Sequence, residues 1–135
     1  MPKIALIVDD EDLIAKTIKR YLRNNFFLFH FVFSKNSADE VYDFLPEIKQ
    51  YEGDLLLISD YNLGKNQRIK NGIELAQLAQ KQYPGAKIII MSGENKPQKE
   101  CRRLGYYFIK KPFPLIALKA AIEEVMGIPN SVRDE

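Results

Sequence analysis

Residues 54–63 read DLLLISDYNL. Four consecutive apolar residues, Leu55 to Ile58, suit a strand covered on both faces, and such strands belong to parallel sheets. The run then stops on a carboxylate, Asp60, with only Ser59 between it and the apolar stretch. A strand end made for packing alone would carry Val or Leu there. Asp60 therefore calls for charged partners brought from elsewhere in the chain.

The same pattern recurs on either side. KIALIV (3–8) and AKIIIM (86–91) are continuous apolar runs, FFLFHFVF (26–33) is aromatic-rich, and YYFIK (106–110) is a shorter run; each reads as a strand. Helical patterns lie between them. In DDEDLIAKTIKRYLRNN, Leu13, Ile14, Thr17, Ile18, Tyr21 and Leu22 recur at helical spacing. Acids crowd the start of that stretch and basic residues its later turns, which suits the helix dipole. NSADEVYDFLPEIKQY reads as a helix with Ser37 as N-cap, kinked or restarted at Pro46. GIELAQLAQKQY (72–83), KPQKECRRLG (96–105) and PLIALKAAIEEVMG (114–127) follow, the last two ending on glycine. Five strands alternating with five helices predict an α/β fold: a doubly wound, five-stranded parallel sheet with helices on both faces. Residues 1–127 form one domain in this reading, and 128–135, too few for an output domain, are a polar tail or the start of a linker, so the chain reads as a stand-alone domain or as one cut from a longer protein.

Composition narrows the function. The apolar fraction is 46% and the charged fraction 28%, ordinary for a globular domain. A net charge of +2 makes no global case for nucleic acid. One cysteine, Cys101, excludes an internal disulfide and a cysteine-rich metal site. No apolar run reaches membrane-spanning length, and the N-terminus, MPKIALIVDDE, is unlike a signal peptide. The expected location is the cytoplasm. His30 reads as an unremarkable residue of the second strand, and the aromatic run there, if exposed, as an adhesive edge.

In doubly wound sheets, ligands sit at the carboxyl ends of the strands where the strand order reverses. The residues at those ends are Asp9 and Asp10, then Asp60, then Ser92 and Gly93, then Lys111 and Pro112. Three crowded carboxylates repel and call for a cation; oxygen ligands with room for water suit Mg²⁺, with Mn²⁺ as an alternative. A carboxylate can also be a nucleophile that forms an aspartyl phosphate. Phosphoryl transfer then needs positioning and charge neutralisation, tasks for the cation, Lys111 and the Ser92 hydroxyl. Taken singly, each feature has a plainer explanation: a helix cap, a turn aspartate, a loop serine, a charged strand end.

Taken together, LIVDDE, LLLISDYNL, NGIEL, IIIMSGE and FIKKPF resemble the receiver domain of two-component response regulators, from residue 3 to about 126. The resemblance implies a flavodoxin-like strand order 2-1-3-4-5. It implies that Asp60 accepts a phosphoryl group from a sensor histidine kinase or a histidine phosphotransfer protein. Asp10, Asp9, Asp60 and the main-chain carbonyl of Asn62 would hold the metal, with Asp9 acting mainly through water. Ser92 and Lys111 would hold phosphoryl oxygens, Ser92 and Phe108 would form the switch, and Asn62 and Glu94 would tune a short phosphoryl lifetime. The Lys111–Pro112 bond would be cis. The 95–126 face, basic over 96–111, would meet a downstream protein, with no direct nucleic-acid or membrane contact and a monomer or weak homodimer as the working state. The chain would be a phosphoacceptor assisting its own chemistry, not a turnover enzyme.

The chain departs from the family pattern in three places. Asp60 to Gly72 is longer than usual and gives a polar loop with Lys65, Arg68 and Lys70, free to move or meet a partner, with Gly64 in place of a common proline. Gly105 to Lys111 is about one residue shorter, and Lys110 replaces an often apolar residue. Two other classes stay open. One is a phosphorylation-independent interaction module on the same fold. The other is an aspartyl-phosphate phosphatase, which would need an acid where Asn62 stands.

Overall fold

The computed structural model describes residues 3–26, 29–50, 53–64 and 68–127. Its elements alternate as β1 (Lys3–Val8), α1 (Asp12–Asn25), β2 (Phe31–Lys35), α2 (Ala38–Lys49), β3 (Asp54–Asp60), α3 (Gly72–Gln82), β4 (Lys87–Ser92), α4 (Gln98–Leu104), β5 (Tyr107–Lys110) and α5 (Leu115–Met126). The strands form one parallel sheet in the order β2-β1-β3-β4-β5, so the expected fold class holds.

The period-two alternation of each strand divides the interior into two layers. Leu55 and Leu57 of β3 face α2, α3 and α4, where they meet Val41, Leu45 and Ala76. Leu56 and Ile58 face α1 and α5 and meet Ile18, Leu22 and Leu118. Burial of each such side chain contributes about 1.5–3 kcal/mol. Because the central strands are covered on both sides, their sequences show no polar alternation.

Local signals end several helices as expected. Ser37 accepts the Glu40 N–H at 3.2 Å and caps α2. Gly105 and Gly127 adopt left-handed conformations after α4 and α5.

Four expectations need correction. The second strand covers Phe31–Lys35, not 26–33: α1 runs to Asn25, and the Phe26 N–H still bonds Leu22 O at 2.9 Å. Phe26 and Phe29 are buried packing residues outside the strand, and residues 27 and 28 lie outside the described residues. His30 precedes β2 and is exposed; its Nδ1 accepts the Lys3 N–H at 3.1 Å. Leu13 is not part of the α1 core stripe, being 78% exposed, while Ala15 joins Ile18 and Leu22 inside. Pro46 lies within α2, which runs without interruption from Ala38 to Lys49. Its ring is exposed, while Val41, Leu45 and Ile48 continue the buried stripe past it. The tail at 128–135 and Lys65 lie outside the described residues.

Candidate functional site

The topology brings β1 and β3 side by side, and the chain winds in opposite directions from there. This is the position at which doubly wound sheets open a crevice. Asp9 and Asp10 follow β1, Asp60 ends β3, Ser92 ends β4 and Lys111 follows β5. Backbone hydrogen bonds stitch these ends together: Tyr61 N–H to Met91 O at 2.7 Å, and Lys111 N–H to Ser92 O at 2.8 Å. The Lys111–Pro112 peptide is cis.

Asp9, Asp10 and Asp60 each offer a carboxylate oxygen within 4.8 Å of the others. Asp9 is fully buried, and both its oxygens are engaged, Oδ1 by the Glu11 N–H at 2.9 Å and Oδ2 by Lys111 Nζ at 2.8 Å. Lys111 Nζ also lies 3.4 Å from Asp60 Oδ1. Asp10 is exposed, which leaves room for water beside the cluster. Three hard oxygen donors with an open side fit a small divalent cation such as Mg²⁺.

The electrostatics follow from this crowding. Burial, and then the neighbouring Asp9 charge, push the Asp60 carboxyl up to about 6, against the pull of Lys111. Burial alone would lower the Lys111 ammonium, but Asp9 and Asp60 outweigh it and raise it further above its ordinary range. The site therefore holds one cation against three acids and gains from further positive charge.

The other expected residues fall around this cluster. Ser92 is buried, and its Oγ accepts the Glu94 N–H at 3.0 Å, which leaves its own hydrogen to donate. Asn62 Nδ2 donates to Glu94 Oε1 at 3.3 Å, joining the two residues across the mouth of the site. Phe108 is half-buried on β5 and packs on the core layer shared with α3 and α4. A groove of about 710 Å³ opens beside Lys111 between Leu13, Ile14 and Thr17 of α1 and the Pro112–Leu115 segment.

Two features escaped the sequence reading. Gly72, inside the NGIEL motif, starts α3 directly against the phosphoacceptor candidate; a Cβ there would lie 2.2 Å from the Asp60 carbonyl oxygen. Its place at the head of a helix was the available signal. Arg68 is not a free loop residue: it grips α2 through Asp43 at 3.1 and 3.2 Å. Spacing alone gave no sign of that contact.

A family model, the response regulator receiver domain, matches residues 5–123. The chain belongs to that family. This receiver domain is similar to the isolated REC domain of RcsB from Salmonella enterica serovar Typhimurium in the presence of phosphomimetic BeF3⁻. The two share 18% identity and a TM-score of 0.77 over 94% of this chain and 90% of that one. It is similar to the non-phosphorylated HemR receiver domain from Leptospira biflexa, at 20% identity and TM-score 0.71 over 96% and 97% of the two chains. It also matches RcsB bound to promoter rprA at 19% identity and TM-score 0.72, but there it spans 65% of the longer chain. Likeness at these identities concerns the fold. No curated protein matches the chain by sequence. No described helix is long and apolar enough to cross a membrane.

Proposed function

We propose that this receiver domain is a phosphorylation switch whose acceptor is Asp60. The observation that carries the reading is the position of Lys111 Nζ, 2.8 Å from Asp9 and 3.4 Å from Asp60 within a three-carboxylate cluster. An Asp60 oxygen attacks the phosphorus of a phosphohistidine, the P–N bond breaks, and the imidazole departs to its kinase or phosphotransfer protein. Asp9, Asp10, Asp60 and the Asn62 carbonyl are the groups that would hold Mg²⁺, which when bound adds positive charge beside the phosphoryl oxygens. Lys111 neutralises another oxygen, and the Ser92 hydroxyl donates to a third.

The added charge biases a two-state domain. Ser92 moves toward the phosphoryl group, and Phe108 turns inward on the β4–β5 side. A downstream protein reads the change on the 95–126 face, where Lys99, Arg102, Arg103 and Lys110 are exposed. The Asn62–Glu94 hydrogen bond at the mouth supports a short phosphoryl lifetime, since groups there govern the approach of water.

Thermal melting with Mg²⁺ and BeF3⁻ tests the reading. Together they raise the melting temperature by several degrees, as expected for ligands that bind only the folded state, and Asp60→Asn removes the shift. Equal melting of the wild type with and without the two additives overturns it.

A further inference from the structure

The geometry points to Arg68 as a positioning residue that sets the cation affinity of the acidic cluster from outside it, by tying the enlarged β3–α3 loop to α2. The role rests on the reading of Asp60, Asp9 and Asp10 as a cation and phosphoryl site.

The chain leaves the site at Tyr61 and returns at Gly72, and the two meet through Gly72 N–H to Tyr61 O at 2.8 Å. The departing arm borders the acids: Leu63 is buried beneath it, and Gly64, at φ +69°, stands so close that a Cβ would lie 3.3 Å from Asp10 Oδ2. The returning arm is tied at every residue. Ile69 is buried in the core, Lys70 N–H donates to Glu74 Oε1 at 2.8 Å, and Asn71 Oδ1 accepts the Glu74 N–H at 2.9 Å. Asn71 Nδ2 also reaches Tyr61 Oη at 3.5 Å. Gly72 then abuts the Asp60 carbonyl with no space for a methyl group.

Arg68 stands at the head of this returning arm. Its Nη1 and Nη2 hold the two Asp43 oxygens at 3.1 and 3.2 Å, Nη2 donates to Asp39 O at 3.1 Å, and Nε lies 3.5 Å from Asp39 Oδ1. The guanidinium also lies 4.7 Å from the centre of the Tyr42 ring. Such a fork engages two oxygens and a ring face at once, which an ammonium cannot reproduce. Exposed ion pairs add little to global stability, so a grip this specific on a loop that flanks the acids acts on position. The returning arm, residues 68–72, is thereby held at both its ends, by α2 at Arg68 and by the Asp60 carbonyl at Gly72, while Gly64 of the departing arm stands beside Asp10.

Arg68→Ala, Arg68→Lys and Asp43→Asn are compared with wild type by Mg²⁺ calorimetry and by adduct formation from acetyl phosphate across a Mg²⁺ series. Arg68→Ala weakens Mg²⁺ binding about three- to ten-fold and slows adduct formation at low Mg²⁺, while saturating Mg²⁺ restores the maximum rate. Arg68→Lys does not rescue the affinity. The double variant with Asp43→Asn is no worse than Arg68→Ala alone, because Arg68→Ala already removes the Asp43 contact. The melting temperature stays within about 2 °C of wild type. Wild-type Mg²⁺ affinity in Arg68→Ala overturns the role, as does a loss of affinity that only follows a loss of stability. Wild type that binds Mg²⁺ yet forms no adduct defeats the phosphoacceptor reading instead, and the calorimetry still decides the role of Arg68.

Discussion

At the scale of single residues, the acidic cluster is held in tension. Burial first, and then the Asp9 charge, push the Asp60 carboxyl up to about 6, against 3.8 for an ordinary aspartate. The folded state therefore binds the proton more tightly than the unfolded chain does. The contribution of Asp60 to stability is fully present below about pH 4 and is lost as pH rises through about 6. At pH 7 without Mg²⁺, Asp60→Asn is expected to melt at a higher temperature than wild type, with the gap closing toward pH 4. A lower melting temperature for the variant at pH 7 contradicts the tension. Gly72 is the second sensitive position. A Cβ placed 2.2 Å from the Asp60 carbonyl forces backbone to move, so Gly72→Ala is expected to cost about 1–3 kcal/mol by urea unfolding. Gly85→Ala, with nothing within 4 Å of its Cβ position, serves as the harmless control.

At the scale of elements, the central strands were legible because a parallel strand buried on both faces is a continuous apolar run, and KIALIV, LLLIS and AKIIIM have that form. The outer strand β2 was not. Its aromatic run contains packing residues that never join the sheet, and a run of Phe and Leu does not say where pairing begins. Pro46 does not restart the helix for a related reason: a missing N–H interrupts a helix less when the residue is exposed and the buried stripe passes it by. The α2 cap was plain in the sequence because Ser37 stands just before the helical pattern. Ser37→Ala removes the hydrogen bond to the Glu40 N–H and is expected to cost about 1 kcal/mol, measurable by urea unfolding; no change would mean that water replaces the cap at no cost.

At the scale of the whole molecule, the site is a product of topology. Residues separated by 102 positions, Asp9 and Lys111, meet at 2.8 Å because β1 and β5 end on the same side of one sheet. The sequence named the members of the cluster through their places after strands. What it left out was the return of the long loop: Arg68 meets Asp39 and Asp43 only because α2 and α3 pack on the same face. No local pattern encodes such a pairing of two distant surface residues.

The central claim is that Asp60 takes a phosphoryl group with the help of a cation held by its neighbours. Intact-protein mass after exposure to acetyl phosphate, with and without Mg²⁺, tests it most directly, with Asp60→Asn treated in parallel. The account predicts one phosphoryl adduct that requires Mg²⁺, is absent from the variant and decays well within hours. A folded wild-type protein that gains no adduct, or an adduct that persists in Asp60→Asn, would contradict it and leave the fold serving as an interaction module.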